Sequence, residues 1–111
     1  MNLYEGAELQ KTAANFAPLT PVSALKRTER VYPDSPAQIH GRIRRDWAEV
    51  ADRCKRLASA LSERGVRKGD TVALIAPNIP EALECALAIP MLGAVLNANN
   101  VRLDAATLGY I

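Results

Sequence analysis

An α/β fold with one parallel strand pair is predicted by three features of this 111-residue sequence. Residues 71–76, "TVALIA", form an apolar run with β-branched members, bounded by turn residues, as a short strand is. From Pro80 the apolar residues continue at helical spacing, and "AVLN" after Gly93 starts a second short apolar run. Strand, helix and strand joined this closely place both strands parallel in one sheet, with a right-handed crossover. Apolar residues make up 49% and charged residues 23%, the balance of a chain that buries a core rather than a disordered or disulfide-dense one.

Residues 1–19 keep no steady period and are expected to form an extended arm, with a short helix near Glu5 to Lys11. Thr20 followed by Pro21 reads as a helix cap and first helical position, because proline has no amide to leave unpaired there. Val22, Leu25 and then Val31 or Tyr32 form a thin apolar stripe, which "YPDSP" stops. "AQIHGRIRRDW" reads as a hairpin around His40-Gly41; two-residue alternation sets Gln38, His40, Arg42 and Arg44 on one side.

Asp46 and Glu49 have capping-box spacing, and Trp47, Val50, Cys54, Leu57 and Leu61 recur on one helical face with Trp47 as a core anchor. Glu49, Asp52, Arg53, Lys55, Arg56 and Glu63 fall mostly on the other, solvated face. Gly65 is placed to end this helix in the left-handed conformation. Val72, Leu74 and Ile75 suit a strand buried on both faces. Asn78 and Glu81 repeat the capping-box spacing, Pro80 falls in the first turn, and Pro90 is expected to kink or end the helix near Ile89. Asp104 caps a last helix of about two turns.

Fourteen basic and 12 acidic side chains leave a net charge of +2, too small an imbalance to draw nucleic acid or a membrane surface. The densest basic cluster, "RIRR" at 42–45, reads as a solvated hairpin edge. Cys54 and Cys85 share no C-x-x-C and stand beside Leu and Ala, which makes them small buried hydrophobes. With His40 as the one histidine, no metal set is expected, and His40 has no acid or nucleophile pattern around it that would make it a general base. The strand-to-helix turn "APNIP" stands where α/β proteins bind phosphate, yet it has two prolines and no glycine, and neither phosphate-loop spacing occurs in the chain. The expected catalytic, cofactor-binding and metal residues are therefore none. "MNLYEGAELQK" lacks the features of a secretory signal, and the apolar stretch Ala82–Leu96 is too short for a membrane span, so a cytoplasmic location is expected.

In their order, "NFAPLTPVSALKRTERVYPDSPAQIHG", "WAEVADRCKRLASALSERGVRKGDTVALIAPNIPEALE" and "PMLGAVLNANNVRLDAATLGYI" resemble the N-terminal segment of AMP-forming acyl-CoA synthetases. The resemblance runs from about Tyr4 to Ile111. It implies that 20–111 form part of the N-terminal α/β domain of an adenylate-forming enzyme acting on a fatty or other carboxylic acid. ATP, magnesium and coenzyme A are implied for the full-length family and none of them for this chain alone. The phosphate loop, nucleotide contacts, metal-binding acid and catalytic lysine are implied to lie beyond Ile111. The sequence departs from the family at Arg45-Asp46, where an aromatic-Thr pair is common, and at Ala86-Leu87-Ala88, where "HFG" is common. An inactive N-terminal fragment is thus expected, with the missing remainder of the synthetase or a second copy as partner. The alternative is a free-standing interaction or dimerisation module without catalysis.

Overall fold

The computed structural model describes Gly6 and residues 9–111. Among the described residues, four helices and four strands follow in the order α1 (Pro21–Val31), β1 (Pro36–His40), β2 (Ile43–Asp46), α2 (Trp47–Glu63), β3 (Thr71–Ile75), α3 (Pro80–Met91), β4 (Val95–Asn99) and α4 (Ala105–Tyr110). Of the span Glu5 to Lys11, where a short helix is expected, residues 5, 7 and 8 lie outside the described residues, and residues 9–11 carry no α-helix. Residues 9–19 carry turns, among them one closed by the Phe16 amide on the Thr12 carbonyl at 3.0 Å.

Helix starts follow from local chemistry. Thr20 accepts from the Ser23 amide and Ser23 answers onto the Thr20 amide, a reciprocal pair that uses serine where glutamate is the commoner partner. Asp46 and Glu49 form the expected capping box, at 2.8 and 3.2 Å. At the far end of α2, Gly65 takes φ +98°, and its amide and that of Val66 bond the carbonyls of Ser62 and Leu61. This glycine-terminated double bond closes the last turn. Asp104 accepts from Thr107 and caps α4; that amide bond holds the Asp104 carboxyl below its ordinary value.

Three local expectations are corrected. The cap of α3 is Ile79, not Asn78: proline at the first helical position forces the residue before it into extended backbone, and Ile79 has φ −119° and ψ 161°. The helix also runs one residue past Pro90, to Met91. So near the C-terminus the proline forfeits little, and the chain tightens through Leu92 onto the Ile89 carbonyl and Gly93 onto that of Pro90. In the hairpin the two-residue turn is Gly41-Arg42, with positive φ at Gly41 alone. Cross-strand partners are Gln38 with Arg45, Ile39 with Arg44 and His40 with Ile43, after a register irregularity between Pro36 and Gln38. Directly opposed residues share a face, so Arg44 lies with Ile39, away from Gln38 and His40.

The core sits where α1, α2 and α3 meet: Leu25, Val50, Ala51, Cys54, Ala58 and Ala88, with Trp47, Leu57 and Leu87 packed against them. Small residues dominate it, so the helices approach closely. β3 and β4 pair in parallel from Thr71 with Val95 to Ile75 with Asn99. Contrary to expectation this sheet is covered on one face only. Val72 and Leu74 are half-buried, whereas Ile75 is 58% and Val95 54% exposed, because none of the described elements packs on that side.

Candidate functional site

The carboxyl ends of parallel strands are where open α/β sheets take ligands. At that end of β3 and β4 lies a depression of about 550 Å³, with Leu74 and Leu96 as its floor, Pro77 and Asn78 on one rim, and Asn100 and Arg102 on the other. Two of its polar side chains are turned to the chain's own turns. The Asn100 side chain accepts from the Arg102 amide at 2.9 Å, and the Asn99 side chain donates to the Asn97 carbonyl at 3.1 Å. On the α3 side, Pro77 and Pro80 have no amide, the Ile79 amide bonds Pro77, and the Ala82 amide bonds Ile79. Phosphate needs several convergent donors. The α3 side of this rim supplies few such amides, although the Asn78 and Arg102 side chains line the depression.

A second constellation joins the hairpin, α2 and α3, and it is one that sequence reasoning missed. Glu84 is 4% exposed in the middle of α3. Its Oε1 accepts from Arg45 Nη1 at 2.8 Å and from Arg53 Nε at 2.7 Å, and its Oε2 accepts from Arg53 Nη2 at 3.0 Å. Arg45 Nη1 also donates to Gln38 Oε1, and Gln38 Nε2 donates to the Pro80 carbonyl, both at 3.1 Å. Glu81 stands 4.0 Å from Arg53, so two carboxylates balance two guanidinium groups. The hydrogen bonding that Arg53 donates to Glu84 is the main reason that the Arg53 proton is held more tightly than in water. Thus Arg45, read as part of a solvated edge, has only 16% of its side chain exposed, and Arg53, set on the solvated face, reaches inward. The signal in the sequence was Glu84 itself, a charge inside an apolar stretch that has to find a partner.

The remaining residues weighed from the sequence stand apart from both places. His40 is exposed beside the hairpin turn. Cys54 is buried in the core, where desolvation pushes its thiol up to about 11, and Cys85 is half-buried with its thiol raised for the same reason. Among the described residues, no three His, Cys, Asp or Glu side chains gather as a metal set, and no helix is long and apolar enough to cross a membrane.

Comparison with known proteins places this architecture. The sequence model of AMP-binding enzymes matches residues 25–111. The chain is 46% identical over 104 residues to the peroxisomal acetate/butyrate–CoA ligase AAE7 of Arabidopsis thaliana, covering 94% of this chain and 18% of that ligase. It is 42% identical over 104 residues to the acetate–CoA ligase CCL3 of Humulus lupulus, with the same two coverages. Among solved structures, the N-terminal subdomain of NpsA from Klebsiella oxytoca superposes with a TM-score of 0.77 at 27% identity, over 80% of this chain and 23% of that one. The chain belongs to the AMP-binding enzyme family. Within it, the chain corresponds to an N-terminal segment of AMP-forming acyl-CoA synthetases, and spans 18% of the length of the curated relatives just named.

Proposed function

We propose that this chain is the structural beginning of an enzyme that activates a carboxylic acid with ATP and passes the acyl group to coenzyme A. The observation that carries the reading is the 46% identity over 104 residues to an acid–CoA ligase. In this reading residues 1–19 are an arm and 20–111 a part of a larger α/β domain, and none of the chain's own side chains performs chemistry. The start of α3 beside the depression agrees: Pro77 on its rim and Pro80 just beyond have no amide to offer, which suits a scaffold better than a nucleotide site. Magnesium, ATP and coenzyme A then belong to the parent enzyme, and the partner of this segment is the remainder of that enzyme. The cytoplasm is the proposed compartment, with the peroxisome of the Arabidopsis relative as the alternative that fractionation distinguishes.

Two measurements test this. Calorimetry with Mg-ATP and a pyrophosphate-exchange assay across short and long acids are expected to find no saturable site and no acid-dependent exchange in the 111-residue chain. Saturable one-to-one ATP binding, or exchange that survives repurification, overturns the scaffold reading. A chimera with this chain in place of the aligned segment of the acetate/butyrate ligase is expected to make acyl-CoA with the host's acid preference. A folded but inactive chimera favours the independent interaction module instead.

A further inference from the structure

Helix α3 starts without a cap of its own: Ile79 provides no side-chain acceptor, and Pro80 has no amide. Of the turn that precedes it, Ala76, Pro77 and Asn78 line one side of the depression; within the turn the backbone makes a single bond, from the Ile79 amide to the Pro77 carbonyl, and the Ile79 carbonyl accepts from Ala82 in α3. Its position is therefore set at its ends. One end is β3, held by β4. The other is the first turn of α3, which the hairpin holds from 42 and 39 residues away in sequence, with Gln38 on the Pro80 carbonyl and Arg45 on the Glu84 carboxylate, while Arg53 of α2 holds that same carboxylate from the other side. Gln38 is 6% exposed and bonds Arg45 with its other end, so the two act as one unit.

We propose that Gln38 and Arg45 are positioning residues, a cap supplied by the hairpin to α3, and that through α3 they fix the wall of the depression formed by Ala76, Pro77 and Asn78. The Pro80 carbonyl is also the acceptor that helical geometry gives to the Glu84 amide, so the Gln38 donor occupies its second lone pair. Glu84 is thus tied to the hairpin at both its backbone, through Pro80, and its carboxylate, which Arg45 shares with Arg53. A side chain that acts only as general ballast would stabilise every element alike, whereas this one joins two specific points of a single helical turn.

Amide hydrogen exchange, resolved by residue on the 111-residue chain, separates the two roles. Gln38→Met keeps the length and apolar contacts while removing both bonds; it is expected to speed exchange at Glu84 and Cys85 by about tenfold, the size of one lost net hydrogen bond. Amides of β4 and the middle of α2 keep their wild-type rates. Gln38→Glu retains an acceptor for Arg45 but, ionised, cannot donate to Pro80; it is expected to give the same local acceleration. Uniform acceleration across α2, α3 and β4 in both variants overturns the proposal, and so does an unchanged rate at Glu84 and Cys85.

Discussion

Glu84 shows how much a single residue can require of its surroundings. A carboxylate in an apolar helix is tolerated because two guanidinium groups reach it, and its removal leaves those groups facing each other in a poorly solvated place. Glu84→Met is expected to destabilise the chain by about 3 kcal/mol, at the low end for a broken buried pair since Arg53 keeps water and Glu81 within reach. The double variant Glu84→Met/Arg45→Met is expected to recover most of that loss, read as the shift in urea midpoint. If single and double variants fall equally, the cost lies in packing and not in an uncompensated charge. Cys54 makes a prediction of opposite chemistry. Its native thiol ionises near 11 against an ordinary value of 9.0, because burial opposes the thiolate. The stability this contributes is complete below pH 9.0 and declines as pH rises through 11, since the unfolded chain releases a proton that the native chain keeps. Urea midpoints between pH 8 and 10.5 are expected to fall more steeply for the native sequence than for Cys54→Ala.

At the scale of the element, the helix starts divide into those that the sequence announces and one that it disguises. Thr20, Asp46 and Asp104 are short polar residues directly before a helix, and each accepts from the amide three residues on. Asp46→Ala is therefore expected to cost about 0.5–2 kcal/mol. Asn78→Ala is expected to be nearly neutral despite the same spacing to an acid, since Pro80 moves the cap onto Ile79. Thermal melts of the two variants check this directly, and a loss at Asn78 equal to that at Asp46 refutes the assignment. The hairpin follows the same logic. Alternation alone assigned its faces, but the turn at Gly41-Arg42 and the irregularity after Pro36 decide which alternating set faces inward. Gln38 and Arg45 come together for that reason.

For the molecule as a whole, the bare side of the β3–β4 sheet dominates behaviour. Parallel sheets are stable when both faces are covered, and here Ile75 and Val95 meet solvent together. The radius of gyration is 18.1 Å, against about 13 Å for a close-packed domain of this length. The isolated chain is expected to self-associate and to bind a hydrophobic dye, and Ile75→Lys with Val95→Lys is expected to reduce both without lowering the melting temperature. Sedimentation over a concentration series measures it. A monomer with no dye uptake in the native sequence contradicts this picture and implies that the exposed strands are satisfied within the chain.

The sequence by itself determined the order of elements, three of the four helix starts, the glycine that ends α2 and the parallel pairing of β3 with β4. Each of these depends on residues within a few positions of one another, or on a connection too short to allow an alternative. Its family was legible for a related reason, since several motifs occur in one order along nearly the entire chain. Only the tertiary structure decided which charges are internal. Arg45 and Arg53 look like any surface arginines until the hairpin, α2 and α3 close around Glu84, because a side chain's environment is set by elements distant in sequence. It likewise decided that one sheet face is covered and the other bare. Val72 and Ile75 are the same kind of residue in the same strand, and only the presence of α3 on one side distinguishes them.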